Sequence, residues 1–132
     1  MEAEISKIIM KKILILILFF NFSKASASEL LTNFTTEEFQ QAQNSGKTVV
    51  VYSWNKYCLT CNKQKSILKE AKKDFKDVIF LYIEHTKNKN IVKDLNISYW
   101  STLVVYKNNK EIAKAVGLVD KKEIYSFIMK GI

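Results

Sequence analysis

Thr48-Val49-Val50-Val51-Tyr52-Ser53-Trp54-Asn55-Lys56-Tyr57-Cys58-Leu59-Thr60-Cys61 leads from a β-branched, aromatic run directly into two cysteines. The run Lys47 to Trp54 has the length and composition of a strand buried on both faces. Beyond the cysteines, Ile67, Leu68, Ala71 and Phe75 recur at helical spacing while Lys63, Lys65, Lys69, Lys72 and Lys73 fill the intervening positions. That pattern predicts an amphipathic helix beginning at Cys58 and ending near Phe75.

Working outward, Thr35 is placed as an N-cap with Glu38 as its capping-box partner, and this first helix should end near Asn44-Ser45-Gly46. Val78 to Ile83 reads as a second buried strand and Asn90 to Leu95 as a short helix. Thr102 to Tyr106 and Glu111 to Val116 flank Asn108-Asn109, two residues that tolerate positive φ and suit a tight hairpin. Asp120 caps a last helix through Ile124, Phe127 and Ile128. The order α-β-α-β-α-β-β-α calls for an α/β fold with a central mixed sheet flanked by helices on both faces.

A chain of 132 residues with 48% hydrophobic content accommodates one domain and one core. Lys11 and Lys12, the apolar run Ile13 to Phe22 and the small residues Ala25-Ser26-Ala27 form the pattern of a secretory signal. The run is about half the roughly twenty residues of a bilayer-spanning helix, so residues 1–27 are expected to be a cleaved signal, with Met10 a possible start, and not a permanent membrane anchor. No cysteine lies near the cleavage site, which argues against a bacterial lipid anchor. Residues 28–132 form the expected domain. The net charge of +8 falls to +6 when residues 1–27, with their four lysines and two glutamates, are removed. The lysines are scattered and arginine is absent, which argues for a solvated basic surface and against a nucleic-acid site.

Where a buried strand ends and a helix begins, Cys58 lies near the free N–H groups and positive end of the helix dipole, which favour thiolate. It is the expected nucleophile. Cys61, one turn inward on the same face, can attack a mixed disulfide at Cys58 and release the product. Lys56 adds a screened positive charge. The same spacing supplies half of many zinc sites, but zinc requires four ligands and the only histidine is His85. His85 is expected at the surface beyond the Val78–Ile83 strand. A purely structural disulfide this short closes too small a loop to gain much from chain entropy.

Trp54-Asn55-Lys56-Tyr57-Cys58-Leu59-Thr60-Cys61 after the strand, with Ser101 to Asn109 leading to Val116-Gly117, resembles the thioredoxin family over residues 29 to 131. The resemblance implies the thioredoxin fold and thiol-disulfide exchange with cysteine-containing protein substrates. It also implies a separate redox partner that recharges the pair, no bound cofactor and no metal. It further implies a substrate groove around Cys58 formed by Trp54, Tyr57, Trp100, Ser101, Thr102 and Gly117.

Four departures from the family pattern stand out. Ser101 occupies the position of a cis-proline, and a non-proline cis bond costs about 3–4 kcal/mol, so the Trp100–Ser101 peptide is expected to be trans or strained. Tyr52 replaces a buried aspartate and reads as a core aromatic, neutral at physiological pH. Leu59-Thr60 replaces Gly-Pro between the cysteines, where residues tune the reduction potential. Phe80 replaces a lysine that pairs with the missing acid. The expected activity is an exported, periplasmic or extracellular disulfide oxidoreductase. A domain of 105 residues has no room for an inserted helical subdomain, which favours a reductase or specialised partner over a general oxidase. A metal or iron–sulfur binding module using the same pair is the alternative, and a redox-inactive scaffold a third.

Overall fold

The computed structural model describes residues 1–19 and 32–132. Helix α1 (Glu2–Phe19) takes in Lys11, Lys12 and most of the apolar run, while the expected cleavage site Ala25-Ser26-Ala27 lies outside the described residues. Among the described residues no helix is long and apolar enough to cross a membrane. The remaining elements are β1 (Thr32–Asn33), α2 (Thr36–Asn44), β2 (Thr48–Trp54), α3 (Leu59–Asp74), β3 (Val78–Glu84), α4 (Lys89–Asp94), β4 (Thr102–Lys107), β5 (Lys110–Val116) and α5 (Lys121–Met129).

Five strands form one sheet in the order β1-β3-β2-β4-β5. Strands β1, β3 and β2 run parallel, and β4 and β5 continue antiparallel. β2 is therefore the central strand, and Val49 to Ser53 are buried as the unbroken apolar run predicts. Its side chains alternate between two cores. Val50 and Tyr52 join Phe80, Leu103, Leu68, Ala71, Ile124 and Phe127 beneath α3 and α5. Val49 and Val51 join Leu81, Ile83, Val104, Ala42 and Val92 beneath α2 and α4. Two layers of helices thus sandwich the sheet.

The caps follow the sequence signals. Glu38 N–H donates to Thr35 Oγ1 at 3.1 Å, and Glu123 N–H donates to Asp120 Oδ1 at 3.0 Å. Asn108 and Asn109 take φ values of 50° and 60° in the β4–β5 turn, the left-handed pair a two-residue hairpin requires. The expected order lacked β1. Its two residues are too few to show a strand period, and they pair Thr32 with Leu81 and Asn33 with Tyr82.

Candidate active site

The loop from β2 into α3 is tied down before the helix starts. Asn55 is buried, and its side chain bonds to three residues. Its Oδ1 accepts from Tyr57 N–H at 2.9 Å, and its Nδ2 donates to Glu84 at 3.0 Å and to Thr86 at 3.1 Å. Its carbonyl accepts from Cys58 N–H at 3.1 Å. Cys58 is thereby delivered as the N-cap of α3, and its sulfur accepts from Cys61 N–H at 3.1 Å. The sulfur thus does what a serine or threonine oxygen does at most helix starts: it satisfies a free N–H at the positive end of the dipole.

Cys58 and Cys61 form a disulfide with Cα atoms 5.2 Å apart, inside the usual bridging range of about 4.4–6.8 Å. Their surroundings differ. Cys58 lines a cavity of about 420 Å³ together with Ser98, Tyr99, Trp100, Ser101 and Val116. Cys61 faces inward on the buried stripe of α3 with Gln64, Leu68 and Ala71. No group of three or more histidine, cysteine or acidic side chains is gathered closely enough to hold a metal among the described residues.

The residues expected around a groove separate into three sets. Trp100 and Ser101 line the cavity beside Cys58. Gly117 supports it from outside, through its N–H to the Ser101 carbonyl at 2.9 Å, and at φ 78° takes a backbone that favours glycine. Trp54, Tyr57 and Thr102 do not line it. Trp54 is half-buried with the Lys65 ammonium over its ring, Tyr57 is exposed with Lys56 over its ring, and Thr102 is buried, its hydroxyl donating to Tyr99 O at 2.6 Å. Lys56 therefore sits on an aromatic face. Between the cysteines, Leu59 projects into solvent and Thr60 is half-buried.

There are no cis peptide bonds among the described residues, and Ser101 takes φ 54°. The Trp100–Ser101 peptide is trans, and the serine lies in the left-handed region that side-chain-bearing residues disfavour. Tyr52 is a core aromatic as expected, and it also donates its hydroxyl to the Cys61 carbonyl at 2.8 Å. Burial, reinforced by Tyr82, pushes its phenol well above the ordinary value of 10, so it is a fixed neutral donor there. Phe80 is buried in the same core. His85 follows β3 as expected and does not line the cavity; it is half-buried, with Nδ1 2.8 Å from the Ser53 hydroxyl. Asn55 and Gln64 were missed as organisers of the site. Gln64 is fully buried, donates to Ser101 O at 3.1 Å and leaves its Oε1 without a partner among the described residues. A polar residue three positions after Cys61 on an otherwise apolar stripe was the available signal.

Comparison with known proteins agrees with this geometry. A family model described as Thioredoxin matches residues 30–130. A thioredoxin of Buchnera aphidicola is 29% identical over 100 residues, 74% of this chain and 93% of its own. One from Mycoplasma genitalium is 25% identical over 88 residues, 67% of this chain and 86% of its own. The crystal structure of Trxlp from Edwardsiella tarda superposes with a TM-score of 0.71 at 23% identity, covering 74% of this chain and 97% of that one. Thioredoxin NaTrxh from Nicotiana alata gives 0.67 at 23% identity, covering 81% and 98%. At these identities the solved structures speak for the fold.

Proposed function

Because the chain belongs to the thioredoxin family and carries its cysteine pair as a disulfide, we propose that this thioredoxin-like disulfide oxidoreductase works outside the cytoplasm, exchanging disulfides with secreted or periplasmic proteins. Cys58 is the attacking sulfur and Cys61 the resolving one. The observation that carries these roles is that Cys58, and not Cys61, lines the cavity, while both the dipole of α3 and the Cys61 N–H point at its sulfur. In the reduced protein the Cys58 thiolate attacks a substrate disulfide, forming a mixed disulfide and releasing one substrate thiolate. Cys61 then loses its proton and attacks Cys58, releasing the second substrate thiolate. Two electrons pass to the substrate, and the protein regains its Cys58–Cys61 disulfide. A separate redox partner must return those electrons.

The basic and small-residue pattern of residues 11–27 supports export. Short connections around the pair favour a reductase or dedicated partner over a general oxidase. The test is reduction of a protein disulfide with dithiothreitol as donor. Cys58→Ser should abolish turnover, and Cys61→Ser should accumulate mixed disulfides through Cys58; trapping through residue 61 in Cys58→Ser would reverse the roles. Equilibration with glutathione buffers assigns the direction of electron flow: a potential near −270 mV fits a reductase, and one near −120 mV an oxidant. Mass analysis of secreted protein should find a chain starting at Ser28.

A further inference from the structure

Ser101 combines three features that the exchange chemistry has not yet used. It lines the cavity with Cys58. Its backbone sits at φ 54°, which is disfavoured for a residue with a Cβ and persists because its carbonyl is gripped from two sides, by Gln64 Nε2 at 3.1 Å and by Gly117 N–H at 2.9 Å. Its hydroxyl makes no hydrogen bond among the described residues, although the residue is only 9% exposed. Strained backbone held by specific bonds beside a reactive group is a pointer to function.

We propose that the Ser101 hydroxyl donates a hydrogen bond to the Cys58 sulfur once the disulfide opens, stabilising the thiolate from the side of the cavity opposite α3. In the disulfide, the Cys58 sulfur is a neutral, weak acceptor that already takes the Cys61 N–H, and the Ser101 hydroxyl makes no bond to it. Reduction puts a negative charge on that sulfur and makes it the strongest acceptor in the cavity. The hydroxyl is a free rotor that can turn to meet it, whereas a proline in this position has neither hydroxyl nor N–H to offer. Gln64 and Gly117 are positioning residues in this scheme, since they act only through the Ser101 carbonyl.

The proposal rests on Cys58 being the attacking sulfur, and one experiment separates the two. In reduced full-length protein the rate of iodoacetamide alkylation is measured against pH, with peptide mass mapping to assign the modified cysteine, for the wild type, Ser101→Ala and Ser101→Gly. Glycine accepts φ 54° without strain, so the two variants share only the lost hydroxyl. The midpoint for Cys58 should move up by about one pH unit in both, a roughly tenfold loss of thiolate below the midpoint. An unmoved midpoint in both overturns the proposal. A shift in only one of them traces to the backbone and overturns it too. If the early-titrating sulfur of the wild type maps to Cys61, the assignment of the attacking thiol fails first and the proposal falls with it.

Discussion

The two walls of the Cys58 cavity are held in opposite ways. On the helix wall, Cys58 alone lines the cavity, and behind it Asn55, Tyr57 and Cys61 are knitted to it and to one another by bonds two or three residues apart in sequence, with the disulfide itself spanning a separation of three. On the facing wall, Ser98 to Ser101 has one comparable local bond, Thr102 Oγ1 to Tyr99 O. The position of Ser101 depends on Gln64, 37 residues earlier, and on Gly117 across the β4–β5 ladder. The first wall can form as soon as the helix does, whereas the second exists only once α3, β4 and β5 are packed. A site with one locally built wall and one globally built wall can keep its nucleophile fixed while its rim responds to changes far away.

This contrast can be broken most severely at Asn55, whose side chain also bonds outside the helix wall. Asn55→Ala removes the acceptor for Tyr57 N–H and the donor to Glu84 and Thr86. The expected loss is about 2 kcal/mol, measured by urea unfolding, with slower disulfide exchange because Cys58 is less well placed. A loss under about 0.5 kcal/mol would mean that the local bonds suffice alone.

Gln64→Leu tests the facing wall. It removes the grip on Ser101 O and also the buried, unpartnered Oε1. The two effects oppose each other, and the expected net loss is about 1 kcal/mol, with a larger proportional fall in exchange rate than in stability. Ser101→Gly sharpens the same point from the other direction. Relief of the left-handed serine should stabilise the fold by up to about 1 kcal/mol while exchange slows, a stability gain at the expense of activity.

The smallest effects are expected at two buried tyrosines beneath the helix wall, whose rings meet edge to face. Tyr52 has a partner for its hydroxyl, and Tyr82 has none among the described residues. Tyr52→Phe should therefore cost about 1 kcal/mol, and Tyr82→Phe should be neutral or slightly stabilising. Burial raises both phenols above the ordinary value of 10 when the chain is folded. The unfolded chain gives up these protons first as pH rises past 10, so the neutral-tyrosine contribution to stability is complete below pH 10 and drains away above it. Wild-type thermal stability should fall above pH 10, and the double phenylalanine variant should fall less steeply over that range.

Residues whose bonds are local could be read from their spacing. The buried run of β2, the helix start at Cys58, the Thr35 and Asp120 caps and the Asn108-Asn109 turn each depend on contacts within a few positions, so composition and period carried them. The membership of Trp100, Ser101 and Gly117 in the site came through the family resemblance. The family's pattern, with proline in place of Ser101, pointed to a trans or strained peptide there, but not to a left-handed serine whose hydroxyl makes no bond among the described residues.

What the residues determined by themselves is the order of elements, the mixed sheet with helices on both faces and a nucleophile at a helix start. Tertiary structure alone decided that two residues at Thr32 form an edge strand, that His85 leans on Ser53 and that Gln64 and Asn55 span separate segments. It also decided which residues share a cavity with Cys58. The physical reason is that helix period, strand composition and capping are properties of neighbouring residues, whereas a bond between Gln64 and Ser101 requires a register that only the packed sheet supplies.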